Sequence, residues 1–303
     1  MKSKIWIYIG LMFAMAVWAY SYVLIKIVYS YGVPPTMLVF MRLVLASATL
    51  IAFTKIARKL QVIQKKDRFS FLALAFFEPF LYYIGESNGL VYVSPTVGSI
   101  IIATIPVFTP FVLYAYFKEK VDKTNFFGII ISFIGVLLVI FEDDYTLSAS
   151  PVGLGFMFFA VLSAFGYTIV IKNLTQKYNS YTIVTYQTLI GAILYIPLFL
   201  FSDFTVISNV DFTWQMFAAT ATLAVFATAI AYIREIGAMQ ATIFANFIPV
   251  LTAAMALLSG MEELPLRKLG GVVIVIAGVF LSQSKKPFLG LPGMVWNCFA
   301  KKK

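Results

Sequence analysis

The chain divides into ten unbroken apolar stretches, most of them near ~20 residues, the length that crosses the hydrocarbon core of a bilayer as an α-helix. They run over roughly 5–28, 35–56, 69–91, 96–117, 125–141, 151–171, 181–201, 212–232, 237–259 and 267–284. A membrane barrel would instead read as ~10-residue segments alternating polar and apolar. Composition closes the remaining alternatives. Of 303 residues, 61% are hydrophobic and only 12% charged, and the mean hydropathy is +0.91. Soluble domains carry about 25% charge, so a water-facing surface could not be clothed here. Disorder needs the opposite bias. The expected fold class is an all-α integral membrane protein with ten transmembrane helices.

The breaks between stretches have turn chemistry: Tyr31-Gly32-Val33-Pro34-Pro35, Ser94-Pro95, Ser148-Ala149-Ser150-Pro151 and Leu264-Pro265. The longest, near 57–68, is too short to be a soluble domain. The start, Met1-Lys2-Ser3-Lys4, resembles a signal-peptide flank, but the apolar run behind it exceeds the usual 7–15 residues and reads as an uncleaved first span. Histidine is absent and Cys298 is the one cysteine, so His-bearing triads, Cys–His pairs and His-ligated metals are excluded.

Charge gives an orientation. With the N-terminus inside, alternation puts 19 of the 23 basic residues in cytoplasmic segments. The outer segments hold Arg267 and Lys268 with seven acids: Glu142, Asp143, Asp144, Asp203, Asp211, Glu262 and Glu263. The positive-inside rule then makes both termini cytoplasmic and an even number of spans the natural count. Topology accounts for the net charge of +10, and no nucleic acid is implied.

A displacement of 143 residues aligns Ile105-Pro106-Val107-Phe108-Thr109 with Ile248-Pro249-Val250-Leu251-Thr252, Glu119 with Glu262, Gly128 with Gly271, and Gly135-Val136 with Gly278-Val279. From Val93 to Leu138 there are 11 identities in 46 positions. A displacement of 146 puts Lys26 over Lys172. The chain thus reads as two five-helix copies, 1–141 and 151–284, followed by a basic tail, 285–303. Five spans are odd, so the second copy enters the membrane inverted, a recurring transporter plan with its site between the copies. Gly128 and Gly135, like Gly271 and Gly278, are seven apart on one helix face and are read as close-packing positions. Pro106 and Pro249 fall within the fourth and ninth stretches, where each deprives a carbonyl four residues back, Ile102 or Ala245, of its partner. They are read as hinges or as static kinks.

The ten spans, the two copies and the series Pro106…Glu119…Gly128…Gly135 and Pro249…Glu262…Gly271…Gly278 resemble the drug/metabolite transporter superfamily, in its EamA-type branch. The resemblance covers residues 5 to 284. It implies a multi-pass transporter of a bacterial inner (plasma) membrane, exporting an amino acid, drug or other small metabolite, while related branches exchange phosphorylated sugars. It further implies that the first four helices of each copy surround a central cavity and the fifth and tenth buttress it. Trp18-Ala19 stands where such proteins often carry Trp-Gly, and Phe165-Gly166 departs from the pattern in the second copy.

Charges inside a bilayer cost ~2.5–3.5 kcal/mol on insertion scales and point to function. Arg42, Glu78 and Glu86 are such residues. In a continuous third helix Glu78 would lie ~14 Å and Glu86 ~26 Å from the cytoplasmic end, ~80° apart. Arg42 would sit ~10 Å below the outer surface, at a depth that allows an ion pair with Glu86. That pair reads as structural, or as a binder of zwitterions, or as the frame for a proton-carrying Glu86. Trp18, Tyr20, Ser21, Tyr82, Tyr83, Asn88, Gln187, Gln240 and Asn246 are further candidates to line a path. Glu119 and Glu262 fall at helix ends on opposite faces, suited to fixing loops or gating. The tail, with Phe288, Trp296, Phe299 and three terminal lysines, could rest on the inner leaflet. No nucleotide motif or clustered acidic metal motif is present in the sequence, and no cofactor is expected. The expected function is secondary export of a small metabolite, with protons as a candidate coupling ion. A facilitator or exchanger is the alternative, and a receptor or enzyme is further removed. The expected partners are a small-molecule substrate and the lipid bilayer, with oligomeric state left open.

Overall fold

The computed structural model describes residues 2–119, 121–142, 146–147, 149–202, 210–224 and 245–283, with side chains from residue 12 onward. Gln240, Arg234, Asp143, Asp144, Asp203 and the tail 285–303 lie outside the described residues. Among the described residues, twelve α-helices follow in order: α1 (Lys2–Ser30), α2 (Pro35–Ile56), α3 (Arg68–Ala75), α4 (Tyr82–Tyr92), α5 (Pro95–Ile102), α6 (Ile105–Phe117), α7 (Lys123–Ile140), α8 (Pro151–Leu174), α9 (Ser180–Leu200), α10 (214–224), α11 (Ile248–Leu258) and α12 (Leu266–Gln283). Among the described residues the only strand-like pairing is the isolated bridge Phe141–Leu147.

The helices begin where the sequence supplies start signals. Pro35, Pro95 and Pro151 open α2, α5 and α8, where a missing N–H costs nothing. Asn179 caps α9 by accepting from the Thr182 N–H at 2.8 Å. Asp122 and Asn125 form a reciprocal capping box on α7. Among the described residues, seven helical segments are long and apolar enough to cross a membrane, counting α5 and α6 as one. The third stretch is not the continuous helix expected over 69–91. It is cut between α3 and α4 by a wide turn, Phe76–Leu81, in which Glu78 is extended (φ −142°, ψ 118°). The eighth and ninth stretches run into 225–244, outside the described residues.

The fourth stretch is broken too. Ala103 and Thr104 form a turn between α5 and α6, and Pro106 lies in the first turn of α6. Asn246 and Phe247 form the matching turn before α11, with Pro249 in its first turn. Each proline therefore starts a helix rather than bending one, because the first turn has no intrahelical use for its missing N–H.

In lipid, close approach of backbones takes the place of hydrophobic drive. The α7–α12 pair shows this most clearly. A Cβ on Gly135 would lie 2.6 Å from the Val275 nitrogen, and one on Gly278 2.4 Å from that of Ser132. Gly128 faces Gly278 and Ser282, while Gly135 faces Gly271 and Val275, so the two helices run antiparallel. The same sense holds for α2 and α9, where Phe40 stacks on Phe199 (4.6 Å) and Phe53 meets Tyr181 (6.0 Å). Helix α4 presses Gly85 onto the α8 backbone, with a Cβ there only 2.6 Å from the Phe156 carbonyl. Helix α11 crosses α1 at fully buried Ala19, whose carbonyl accepts the Thr252 hydroxyl at 3.3 Å.

Candidate functional site

Trp18 and Tyr22 are one helical turn apart and share a face of α1. That face borders a cavity of about 210 Å³. Glu78 and Tyr82 enter it from the broken third stretch, Ser99 to Pro106 from the α5–α6 break, Ala164, Tyr167 and Thr168 from α8, and Ala245, Asn246 and Ile248 from the break before α11. Both carbonyl-bearing residues opposite the prolines, Ile102 and Ala245, are thus in its wall. So is Pro106, while Pro249 is buried beside Ile248.

The turn carrying Glu78 is held from the second half of the chain. The Ser163 hydroxyl donates to the Phe77 carbonyl. The Tyr195 hydroxyl donates to the Phe80 carbonyl at 3.3 Å. Gly166 lies flat against the Phe77 ring and Gly191 against Pro79, where a Cβ would fall 2.4 Å and 2.3 Å from the nearest carbon. Within the turn, the Tyr82 N–H reaches back five residues to Phe77. These contacts bond polar backbone that a proline leaves without its regular ladder, as irregular chain at membrane depth requires. Because Glu78 is extended, the angular relation expected between Glu78 and Glu86 on one helix does not apply.

Glu86 is buried, 4% exposed, one turn beyond Tyr82. The Tyr82 hydroxyl donates to its carboxylate at 2.9 Å, and Tyr22 lies near it as well. No ion pair joins it directly to Arg42. The guanidinium instead lies over the Tyr83 ring, 4.8 Å from its centroid, an arrangement that suits a planar cation in a dry setting. The expected Arg42–Glu86 contact is therefore replaced by tyrosines on both sides. Beyond them is a second pocket of about 140 Å³ lined by Tyr83, Ser87, Asn88 and Tyr195, among others.

The remaining candidates scatter. Tyr20 is 37% exposed and turned away from the cavity, since two residues along a helix swing the side chain ~200° from Trp18. Asn88 lines the second pocket and donates to the Ile84 carbonyl at 2.8 Å. Asn246 is buried and exchanges two hydrogen bonds of 3.2 Å with Gln283. Gln187 is buried in α9 away from both pockets, and its Oε1 has no hydrogen-bond partner among the described residues. Tyr22 and Tyr167 line the cavity without having been singled out. The spacing from Trp18 was the available signal for Tyr22.

Charges at the helix ends form cross-half contacts. Lys172 at the end of α8 pairs with Glu119 after α6, and its Nζ also lies 4.2 Å from the Phe117 ring centroid. Lys26 near the end of α1 is within electrostatic reach of Glu262. It donates to the Val91 carbonyl at 3.3 Å, while Glu262 accepts from the Thr96 N–H at 2.8 Å.

The model of the EamA-like transporter family matches residues 5–141 and again 151–283. The chain belongs to this family. An uncharacterized transporter of Archaeoglobus fulgidus is 27% identical over 94% of this chain and 99% of its own length. The uncharacterized transporter YyaM of Bacillus subtilis is 30% identical over 76% of this chain and 77% of its own. A solved crystal structure superposes at TM-score 0.65 and 15% identity, covering 90% of this chain and 96% of that one, which shows the fold alone. The chain is accordingly a multi-pass membrane transporter of the EamA type.

Proposed function

We propose that this EamA-type chain exports a small metabolite by alternating access through the cavity between two inverted five-helix halves, 1–141 and 151–284. The full complement is ten spans with both termini cytoplasmic. Inversion is supported by the antiparallel run of α7 against α12 and of α2 against α9, since each pair joins corresponding helices of the two copies. The observation that carries the reading is the cavity itself. Both halves wall it, both proline-led breaks converge on it, and it holds a carboxylate, Glu78.

Glu86 is the proposed proton carrier. It is reached from the cavity through Tyr82 and Tyr22, and Arg42 does not neutralise it by direct contact. The end charges are the proposed gates. Glu119 and Glu262 occupy matching positions, as do Lys26 and Lys172, and each lysine–glutamate couple draws one residue from each half. Lys172 is engaged with Glu119, whereas Lys26 is not bonded to Glu262, which fits a state closed at one face.

The test is efflux from proteoliposomes loaded with a mixed metabolite pool, followed by mass spectrometry with and without a proton gradient. Gradient-driven efflux that Glu86→Gln abolishes, with folding intact, is the expected result. Efflux indifferent to the gradient and to Glu86→Gln would make the chain a facilitator or exchanger. No efflux of any solute would remove the transport reading.

A further inference from the structure

We propose that the segment 55–69, which leads from α2 into α3, is a docking surface for anionic phospholipid headgroups of the inner leaflet; this rests on the cytoplasmic placement of that segment in the proposed topology. Six basic side chains, Lys55, Arg58, Lys59, Lys65, Lys66 and Arg68, are exposed along it. Among the described residues none of the six enters an ion pair. The one acid of the segment, Asp67, is buried and accepts from Lys177 and Tyr178 instead. The outward face is therefore positive throughout.

Hydrogen bonds to the α8–α9 turn hold this face in place. The Gln61 N–H donates to the Thr182 hydroxyl at 2.9 Å, and the Gln64 N–H to the Tyr178 hydroxyl at 3.0 Å. The Asn179 N–H donates to the Gln61 side chain at 2.7 Å, and the Asn179 amide to the Lys59 carbonyl at 2.8 Å. Between these anchors Ile63 turns into the apolar cluster of Phe71 and Leu174, which leaves Val62 pointing outward, 87% exposed. Ile56 and Phe69, at the two ends of the segment, are 84% and 78% exposed. Phe69 also begins a stripe of exposed apolar side chains, Phe69, Leu72 and Phe76, at helical spacing along α3 and just past it. In a chain that crosses a bilayer such a stripe meets acyl chains, so headgroups belong where it ends, beside Lys65, Lys66 and Arg68. Water would solvate the charges but penalise the exposed apolar groups between them. The headgroup boundary suits both, and basic segments beside a span attract anionic lipid. A soluble acidic partner matches the charge without matching the stripe.

The test places the purified full chain in an uncharged maltoside detergent with equal amounts of phosphatidylglycerol and phosphatidylcholine, and counts retained lipid by native mass spectrometry. Phosphatidylglycerol is expected to be retained about fivefold or more over phosphatidylcholine, the share of even one basic residue at an anionic surface. The ratio should fall as salt is raised. Arg58→Gln, Lys59→Gln, Lys65→Gln and Lys66→Gln combined should bring it close to one without moving the thermal midpoint. Should that variant fail to fold, Lys65→Gln with Lys66→Gln decides, and should lower the ratio. Val62→Ser with Phe69→Ser should reduce phosphatidylglycerol retention as well. Lys301→Gln, Lys302→Gln and Lys303→Gln combined should leave the ratio as it was. Equal retention of the two lipids, a ratio indifferent to the loop variants, or a loss that follows the terminal lysines instead overturns the proposal. So does retention that ignores Val62→Ser and Phe69→Ser, which would mark a site for any soluble anion. Detergent has no sides, so the ratio does not depend on topology. The expected ratio together with Gln61→Cys, on a Cys298→Ala background, labelled only from outside intact cells would reject the topology and keep the surface.

Discussion

Tyr82 is the residue on which the site turns. It lines the cavity, and its hydroxyl donates to the buried Glu86 carboxylate, which Arg42 does not pair with directly. Hydrogen bonds to charged groups are worth about 1.5–3 kcal/mol. Tyr82→Phe should therefore lower the thermal midpoint in nanodiscs and impair gradient-driven efflux, whereas Tyr20→Phe, on an exposed face, should change neither. Gln187 makes the opposite case. An orphaned buried acceptor costs about 1–3 kcal/mol, so Gln187→Met should raise the midpoint if the amide is only structural. Outside the membrane-spanning helices, Asp67 sits in the turn before α3 and accepts from Lys177 at 2.7 Å and from the Tyr178 hydroxyl at 2.9 Å. The Lys177 hydrogen bond, above all, holds its carboxyl below the usual value of 3.8, against the opposing effect of burial. A lowered folded-state pKa stabilises above the unfolded value and is lost as pH falls through the folded one. The midpoint difference between the unaltered chain and Asp67→Asn should thus be full near neutrality and shrink below pH 3.8. A difference that grows on acidification would contradict this assignment. Of these residues, Glu78 and Glu86 stood out in the sequence because charge is rare at membrane depth, whereas Tyr82 was one of many tyrosines. The role of Tyr83 under Arg42 was not, because a stacking partner is chosen by tertiary packing and leaves no spacing rule.

At the scale of elements, the glycine-bearing helices are the clearest link from sequence to packing. The seven-residue spacing in α7 and α12 becomes an antiparallel contact in which a Cβ would meet backbone atoms that cannot yield. Gly135→Ala should destabilise the chain by about 1–3 kcal/mol. Gly155→Ala has nothing within 4 Å of its new Cβ and should be neutral or slightly stabilising by helix propensity. Thermal midpoints of the two variants side by side check the contrast. The third stretch was the least legible element. Hydropathy averaged over a span does not register a break, and the contacts that bond this one come from Ser163, Gly166, Gly191 and Tyr195, more than 80 residues downstream. The Glu78-Pro79 pair marked the place without revealing that the helix opens there. The charge pair Lys172–Glu119 is partly exposed, and such pairs add only about 0–1 kcal/mol. Its proposed role is to set which face is closed. Lys172→Glu should slow efflux with little change in midpoint, and the double reversal with Glu119→Lys should restore it.

For the whole molecule, the all-helical class and membrane location followed from apolar runs too long and too numerous for any other solvent. The reading of two copies rests on a proline, a glutamate and paired glycines that recur at one displacement. The position of the cavity was not, since it depends on three breaks in helices meeting where hydropathy reads continuous spans. If that cavity is the transport path, its wall must face each side of the membrane in turn. The most direct measurement places one cysteine at Ala103, in the α5–α6 turn, on a Cys298→Ala background, and reads its labelling by an impermeant thiol reagent added to either side of oriented proteoliposomes. Alternating access predicts modification from both sides, with the balance shifted by Lys172→Glu. Modification from neither side, or from one side regardless of the charge pair, would contradict it.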